Sequence, residues 1–387
     1  MGHAILSGRE GLKLVKFIHT ADWQLGKPLS QFEDGLSQQL RQARIDIIET
    51  IANVAKAKGA PHVLVAGDVF DQEIPNPKTV RQSLDVMAAS KFVTFYLLPG
   101  NHDPNRSNGL WSRLGELPEN VIPLLEEKPF EIEKDCFLLP APWYSKNPGR
   151  DNTKWMNSAE VPDSAIRIAI AHGSIHDFES KSETSQKCVI SAVDRVKEAD
   201  LDYFALGDWH GQINVTDRVF YSGTPEIDSF RSNDPGYVLS VEIDAKGATP
   251  VVERVKTTQF HWFGNEVRVL PDTDIAATFQ NLLDADIPAR RSLGRIQVSG
   301  NLPAAKTEEI KNHLSSQTEA LSLLEVDYAR LETTYSEDDF DDLALSGSLR
   351  EAADRLLERK NDDAYARVDR QKAERALQLL LSYAGNS

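Results

Sequence analysis

The chain has 387 residues, a formal net charge of −16 and a hydrophobic fraction of 41%. This length predicts two or three domains, and the acidic balance excludes a generally basic coat for nucleic acid. Positive potential at a metal-lined cleft, or on a partner subunit, stays possible. No apolar run approaches the length of a membrane span, and the start lacks the pattern of a secretory signal. The two cysteines, Cys136 and Cys188, allow one disulfide at most, so we expect a cytoplasmic protein.

Short β-rich runs alternate with helical segments over the first two thirds of the chain. A strand is predicted at residues 14–19, and the helix after it ends at Gly59. The apolar residues of that helix recur at helical spacing: Leu36, Leu40, Ile47, Ile51 and Val54. Further strands are predicted in "HVLVAGD", "KFVTFYLLPGNHD", "RIAIAHG", "YFALGDWHG" and "VFYSGTPE", with a helix at about 77–90. Alternation of this kind predicts a layered α/β fold with helices covering the sheet.

The sequence pattern changes twice in the last third of the chain. From about residue 236 it is dense in β-type residues, and we expect "GYVLSVEID", "PVVERV" and "QFHWFGNEVRVL" to close the sheet of the first domain. A polar helix–strand–helix pattern after Pro271 predicts a small α+β domain, and leucine spacing predicts helices near the C-terminus. The predicted divisions are an N-terminal extension at 1–13, a main domain at 14–265, a small domain at 266–340 and a helical segment at 341–387.

Polar side chains follow successive predicted strands. They are Asp22 after the first strand, Asp68 after the second, Asn101 and His102 after the third, and His172, Asp208 and His210 after later strands. The carboxyl ends of strands in open α/β sheets form a common ligand-binding edge. One such Asp or His is more often a turn or structural residue. Five successive strand ends that supply Asp, Asn or His favour one shared site.

The residue types at these strand ends indicate metal-dependent chemistry. Asp, Asn and His without cysteine suit divalent ions such as manganese or iron. An Asp shared between two ions can hold them roughly 3.5–4 Å apart, and such a pair can clamp the attacking and leaving oxygens of a phosphoryl displacement. We expect His102 to act on the substrate, by orienting or protonating the leaving oxygen.

The order of six motifs resembles that of the calcineurin-like metallophosphoesterases. The motifs are "HTADWQLGK", "VAGDVFD", "PGNHD", "IAHG", "LGDWHG" and "YSGTPE", and they are most similar to those of the SbcD-type DNA-repair exonucleases. The resemblance covers roughly residues 14–265. It implies a layered β-sandwich metallophosphoesterase core flanked by helices, a small α+β capping domain that guides DNA, and C-terminal helices. It also implies a nuclease subunit that works with an SMC-like ATPase.

The resemblance also implies roles for the strand-end residues. One ion would be held by Asp22, Gln24, Asp68 and His210, and a second by Asp68, Asn101, His172 and Asp208, with His102 as the catalytic histidine. Gln24 and Asp208 stand where the family normally has histidine. If both bind metal, the site gains oxygen ligands and favours manganese, or magnesium, over zinc. Alternatively, the two changes weaken the site and leave a DNA-end-binding subunit.

The function expected from these motifs is phosphodiester hydrolysis on DNA, in repair or end processing. The alternatives are a phosphatase, or a phosphodiesterase for small nucleotides. The expected partners are DNA and an SMC-like ATPase docked on the C-terminal helices, although these helices could equally pack on their own domain. A homodimer is possible, and no membrane partner is expected.

Several other residues have two readings each. His19 is expected beside the ligands rather than among them, and His176 could replace a missing ligand or belong to a loop. Trp23 and Trp209 are core residues or stacking surfaces for bases. Lys27 contacts phosphate or lies in a solvated surface.

Overall fold

The computed structural model describes residues 14–146, 149–175, 189–230, 234–335 and 346–384. The chain divides into two compact units, Met1–Phe260 and His261–Ser387. Among the described residues, the first unit contains two six-stranded sheets and the second a three-stranded sheet, each with helices. The predicted α/β class is therefore confirmed. Over these same ranges, none of the helices combines the length and apolar character that crossing a membrane requires.

The strands of the N-terminal unit are numbered in chain order. They are β1 Val15–Thr20, β2 His62–Val65, β3 Thr94–Leu97, β4 Val121–Pro123, β5 Phe130–Glu133, β6 Cys136–Ala141, β7 Ile166–His172, β8 Ser174–Ile175, β9 Val189–Ile190, β10 Tyr203–Gly207, β11 Ile213–Asn214, β12 Val219–Tyr221, β13 Tyr237–Ile243 and β14 Val251–Lys256. The helices of this unit are α1 Asp34–Lys58, α2 Pro77–Ala89, α3 Leu110–Arg113 and α4 Ala192–Glu198, with a 3-10 helix at Lys154–Ser158.

Each of the two large sheets has a parallel centre. The first has the order β14-β13-β1-β2-β3-β4, in which β1 to β4 are parallel and β13 and β14 are antiparallel additions. The second has the order β11-β12-β10-β7-β6-β5, in which β12, β10, β7 and β6 are parallel. Parallel neighbours end at the same edge of their sheet, so β1, β2 and β3 on one side, and β7 and β10 on the other, each deliver their following residues together.

The two sheets pack face to face through an apolar layer. Phe17 of β1, Leu64 of β2, Ile168 of β7 and Tyr203 of β10 are all buried in it. The outer face of the first sheet is also covered, because Ile18 packs with residues of α1 in a separate cluster. Strands that are buried on both faces read as continuous apolar runs, which explains the sequence of β2 and β10.

Helix α1 confirms the periodicity of the sequence. Leu40, Ile47 and Ile51 are buried, and Ile47 and Ile51 pack against the first sheet. The helix ends at Gly59, whose φ of 65° is the left-handed conformation that favours glycine at helix C-termini. Its long apolar face covers β1 and β2 and leaves their carboxyl ends at the edge of the sheet.

The C-terminal unit has its own core. Its strands β15 His261–Arg268, β16 Ser292–Pro303 and β17 Leu323–Thr334 form a parallel sheet, against which α5 Ile275–Gln280 and α6 Ala304–Ser316 pack. The segment "QFHWFGNEVRVL" had been expected to join β13 and β14, but β15 instead pairs with β16. The alternating pattern of this segment predicts a strand, but it does not predict which sheet the strand joins.

Two further helices form a hairpin in the C-terminal unit. They are α7 Gly347–Asn361 and α8 Arg367–Ala384. Ala353 and Leu357 of α7 pack against Leu377 and Leu381 of α8. Part of the leucine pattern in "RALQLLLSYAG" is therefore used within the hairpin itself.

Candidate metal centre

The predicted site residues lie at the carboxyl ends of five strands. Asp22 follows β1, Asp68 follows β2, Asn101 and His102 follow β3, His172 ends β7, and Asp208 and His210 follow β10. Three of these strands belong to the first sheet and two to the second. The site is therefore assembled across the sandwich.

Asp22, Asp68 and His172 form the centre of this group. Each offers a ligand atom, and these atoms all lie within 4.8 Å of one another. The distance from Nε2 of His172 to Oδ1 of Asp68 is 3.4 Å. All three side chains are buried, although buried carboxylates are rare unless they are paired or hold a cation. The arrangement fits one divalent cation.

Asn101 and Asp208 extend the centre with two oxygen donors. Oδ1 of Asn101 lies 2.8 Å from Nε2 of His172, and Oδ1 of Asp208 lies 3.9 Å from the same nitrogen. The backbone N–H of Asp208 donates to the carboxylate of Asp22 at 3.1 Å, which fixes the two loops relative to each other. Asp208 also accepts a hydrogen bond from the hydroxyl of Ser174 at 2.9 Å.

The pKa values of Asp22 and His172 are shifted by burial and by the close carboxylates of the centre. Burial raises the pKa of Asp22 to about 6, against the lowering effect of His172 and His210. Burial lowers the pKa of His172, but the charges of Asp68, Asp22 and Asp208 outweigh it and raise that pKa to about 9. Positive charge is therefore favoured at this point, which is the electrostatic condition for a cation.

The backbone at the strand ends is in an uncommon conformation. Asp22, Asp68 and Asp208 have φ values of 54°, 52° and 103°, in the region that non-glycine residues rarely adopt. Asp and Asn tolerate this region better than most residues, but the conformation still costs free energy. In each case it lies at a carboxylate directed toward the centre, so we attribute it to the placement of these side chains.

Two glycines allow the strand ends to approach closely. A Cβ atom on Gly67 would lie 2.3 Å from Nδ1 of His172, and one on Gly100 would lie 2.1 Å from Oδ1 of Asp68. Any side chain at these positions would displace the centre. The signal was present in the sequence, because glycine directly precedes Asp68 and Asn101.

His102 lies beside the centre and is partly exposed. Its backbone N–H donates to Oδ1 of Asp68 at 2.9 Å, and its Nδ1 lies 2.9 Å from the carbonyl oxygen of Asp71. Its Nε2 is 3.9 Å from Oδ2 of Asp68, and 42% of the side chain is exposed. This contact with the Asp71 carbonyl orients the ring with Nδ1 as donor. The other ring nitrogen, Nε2, is thereby directed away from this carbonyl.

Gln24 and His210 make polar contacts of another kind. Nε2 of Gln24 lies 3.2 Å from Nε2 of His210, and Oε1 of Gln24 accepts a hydrogen bond from Nζ of Lys27 at 2.8 Å. Nδ1 of His210 lies 3.3 Å from Oδ2 of Asp228. Lys27 and Asp228 belong to this part of the site, and the sequence pattern does not indicate Asp228.

Asp228 is ionised although it is buried. Burial favours its neutral form, but the hydrogen bond with His210 and the charges of Arg44 and Lys27 outweigh this effect and hold its pKa well below the ordinary value. The guanidinium of Arg44 is itself buried and lies 3.2 Å from Oδ2 of Asp228. A carboxylate that orients the far nitrogen of a site histidine is a common support in metal proteins.

Two other sequence candidates, His19 and Trp23, occupy structural positions. His19 contacts the hydroxyl of Tyr203 at 3.0 Å and the carbonyl oxygen of Leu206 at 3.2 Å, beneath the site. Trp23 is a core residue, whereas 44% of Trp209 is exposed. His176 and Cys188 lie outside the described residues, and Cys136 is buried in β6.

Comparison with known proteins identifies the family of this fold and site. Residues 15–200 match the family of the calcineurin-like phosphoesterases. This N-terminal part of the chain belongs to the calcineurin-like metallophosphoesterases. Enzymes of this family are hydrolases that use divalent metals, and the buried Asp22, Asp68 and His172 are a group that can hold one.

Individual proteins similar to this chain include one relative by sequence and one solved structure. The DNA double-strand break repair protein Mre11 of Methanosarcina acetivorans is 22% identical over 343 residues, which cover 84% of this chain and 52% of that protein. The chain thus spans about half the length of the curated relative that it matches. GAP50, the anchor in the inner membrane complex of Plasmodium, has 13% identity and a TM-score of 0.38, over 63% of this chain and 85% of its own.

Proposed function

We propose that this metallophosphoesterase is a divalent-cation-dependent nuclease that hydrolyses phosphodiester bonds of DNA, as an exonuclease or endonuclease in repair or end processing. The observation that carries the proposal is the meeting of Asp22, Asp68 and His172 within 4.8 Å, with His102 beside them. The similarity to a repair protein named Mre11 over 84% of the chain supports DNA as the substrate.

The residues of the centre divide into those that hold a cation and those that act on the substrate. Asp22, Asp68, Asn101, His172 and Asp208 would hold the cation. A bound divalent cation supplies Lewis acidity toward a phosphoryl oxygen and toward water. The two sheets hold the five side chains in place before the substrate arrives, which lowers the cost of reorganisation during the reaction.

His102 is proposed as the catalytic residue. Its ring is partly exposed, and its Nδ1 is engaged by the carbonyl oxygen of Asp71. When the ring carries a proton on both nitrogens, Nε2 would donate its proton to the leaving oxygen of a DNA strand, and Nδ1 would keep its proton toward the Asp71 carbonyl. Because Asp68 accepts the backbone N–H of His102, the position of His102 is fixed relative to a carboxylate that would hold the cation.

Manganese is proposed as the cation, with magnesium as the second choice. Four of the five donors are oxygens, from Asp22, Asp68, Asn101 and Asp208, and the fifth is the nitrogen of His172. Oxygen-rich sites favour manganese and magnesium, whereas zinc prefers sites with nitrogen or sulfur.

The test is a substrate comparison with the purified full chain and MnCl₂. Labelled single- and double-stranded DNA, a cyclic nucleotide, bis-p-nitrophenyl phosphate and p-nitrophenyl phosphate are incubated separately, each also with excess chelator. Cation-dependent DNA cleavage, at a higher kcat/KM than for the small esters, is expected. Preference for the monoester would indicate a phosphatase instead, and DNA binding without turnover would indicate an end-binding subunit.

An SMC-like ATPase is proposed as the protein partner, with the α7–α8 hairpin as its docking surface. Leu349, Val368 and Leu379 are about half exposed on this hairpin, while Leu377 and Leu381 are buried in it. Co-purification with a co-expressed SMC-like ATPase tests the proposal, with Leu349→Glu/Val368→Glu against an exposed charge change such as Glu351→Lys. Equal recovery of the ATPase with both variants would exclude docking there. A cytoplasmic location and a homodimer stay predictions.

A further inference from the structure

Four side chains next to the metal centre form a closed ring of polar contacts. Nζ of Lys27 donates to Oε1 of Gln24 at 2.8 Å and to Oδ2 of Asp228 at 2.5 Å. Nε2 of Gln24 lies 3.2 Å from Nε2 of His210, and Nδ1 of His210 lies 3.3 Å from Oδ2 of Asp228. The ring therefore runs from Lys27 through Gln24, His210 and Asp228 back to Lys27.

The ring occupies the atoms by which Gln24 and His210 could bind a metal. Oε1 of Gln24 faces Lys27, and Nε2 of His210 faces the amide nitrogen of Gln24. The amide of Gln24 must turn its oxygen to the ammonium group, because an amide N–H₂ group cannot accept a hydrogen bond. Its nitrogen then faces Nε2 of His210, the atom by which this histidine would bind a cation. A cation on Gln24 and His210 would thus need to break two contacts of the ring.

The charges in the ring oppose a second cation at this position. Lys27 and Arg44 each carry a positive charge, and both contact the single carboxylate of Asp228. Like charges repel more strongly where water is excluded, and Arg44 and Asp228 are both buried, while the side chain of Lys27 is 27% exposed. A divalent ion beside this ammonium would be repelled, whereas the phosphate of a substrate would be attracted.

Lys27 is held in the ring by local geometry as well as by charge. Its backbone N–H donates to the carbonyl oxygen of Gln24 at 3.1 Å, so the turn that places Gln24 also places Lys27. Arg44, from helix α1, also donates to the carbonyl oxygen of Trp23 at 2.7 Å. The ring is therefore supported on the same loop that carries Asp22.

We propose that Lys27 provides a fixed positive charge in place of a second resident cation, so that the chain retains one divalent cation, on Asp22, Asp68 and His172. The inference rests on the proposed function, because it concerns the same site. It replaces the two-cation arrangement that the sequence pattern implies, and it explains why glutamine is compatible with position 24.

The test counts bound manganese in the full chain. Wild type, Lys27→Met and the control Lys128→Met are stripped with chelator and dialysed against MnCl₂, and manganese per chain is measured by elemental analysis. Electron paramagnetic resonance distinguishes isolated from paired ions. Lys128 is a suitable control because it forms an exposed pair with Glu126. We expect one tightly held Mn²⁺ in wild type and control, and a second ion bound at least about tenfold more tightly in Lys27→Met.

Each other outcome has a separate meaning. Two tightly held ions in wild type, or an unchanged single ion in Lys27→Met, would overturn the role of Lys27 and leave the proposed function standing. A wild-type chain that binds no Mn²⁺ would overturn the proposed function itself. Lys27→Gln, which keeps a polar side chain, is measured in parallel and is expected to behave like Lys27→Met, so that a folding defect of either variant does not stop the test.

Discussion

Nε2 of His172 lies 2.8 Å from Oδ1 of Asn101, while Nδ1 of the same ring lies 2.9 Å from the carbonyl oxygen of Ala66. Both ring nitrogens therefore face oxygen acceptors. A neutral imidazole has one N–H and cannot satisfy both. Burial lowers the pKa of His172, but the charges of Asp68, Asp22 and Asp208 raise it to about 9, so the ring can carry both protons. A cation held by His172 and Asn101 would take the place of the proton on Nε2.

Asp68 is expected to be indispensable for cation binding. Its Oδ1 lies 3.4 Å from Nε2 of His172 and accepts the backbone N–H of His102, so the carboxylate serves both halves of the site. Asp68→Asn removes its charge and should lower affinity for Mn²⁺ by more than about a hundredfold, with loss of hydrolysis. Calorimetric titration measures the affinity, and Asp46→Asn on helix α1 is the control. Tight Mn²⁺ binding by Asp68→Asn would contradict this placement.

His102 is expected to act in the chemical step and not in cation binding. Nδ1 of His102 is engaged by the carbonyl oxygen of Asp71, and its Nε2, 3.9 Å from Asp68, is the proposed proton donor. His102→Asn removes this donor and should lower kcat by about 10²–10⁴-fold. The affinity for Mn²⁺ should stay at the wild-type value. Steady-state kinetics and Mn²⁺ titration on the same preparation separate the two effects. A parallel loss of Mn²⁺ would mean that His102 is a ligand or a support for one.

Asp208 is expected to set the preference among metals. Its carboxylate contributes an oxygen 3.9 Å from Nε2 of His172, and Asp208→His would replace this oxygen by nitrogen. The wild type should be more active with Mn²⁺ than with Zn²⁺, and Asp208→His should move the ratio toward Zn²⁺. Turnover of bis-p-nitrophenyl phosphate across the two metals measures this ratio. Maximal wild-type activity with Zn²⁺ would count against an oxygen-rich site.

Gly67 is expected to be required for the position of His172. The backbone of Gly67 has a φ of 90°, and an added Cβ would lie 2.3 Å from Nδ1 of His172. Gly67→Ala should therefore displace the imidazole, weaken Mn²⁺ binding and lower the melting temperature. Gly35→Ala is the matched control, because its Cβ would meet nothing within 4 Å and alanine favours the helix. Equal behaviour of the two variants would exclude the steric role.

His19 is expected to make the N-terminal unit sensitive to mild acid. Burial lowers the pKa of His19 to about 3, against an ordinary value of 6.5, despite its contact with the carbonyl oxygen of Leu206. Below pH 6.5, His19 therefore binds a proton in the unfolded chain, whereas it stays neutral in the folded chain until the pH approaches 3. The contribution of His19 to stability is complete above pH 6.5 and declines as the pH falls toward 3.

The size of this effect can be measured by comparison with a variant that does not titrate. Between pH 7.5 and 5.5, His19 should cost the wild type about 1.4 kcal/mol of unfolding free energy. Urea unfolding with chelator present, followed by tryptophan fluorescence, should show a smaller decline in His19→Gln by this amount. Parallel declines in both proteins would show that His19 does not carry the pH dependence.

The sequence predicted the strand ends well because the signals are local. Asp22, Asp68 and Asn101 each follow an apolar run, and parallel strands bring the residues that follow them to the same edge of the sheet. Asp228 could not be found in this way, since its contact with Lys27 joins residues 201 positions apart. The sheet that contains β15 was assigned wrongly for the same reason. Alternation predicts a strand, whereas its neighbours depend on the whole topology.

The division of the site between two sheets has a mechanical consequence. Asp22, Asp68 and Asn101 are carried by one sheet, and His172 and Asp208 by the other, so an ion bound to both sets would link the two sheets. The distance between the two sheets is set by the apolar side chains packed between them, where the rings of Phe17 and Tyr203 meet edge to face at 5.2 Å. Smaller or larger side chains in this apolar layer would therefore change the ionic radius that the site accepts, while the ligand residues stay the same.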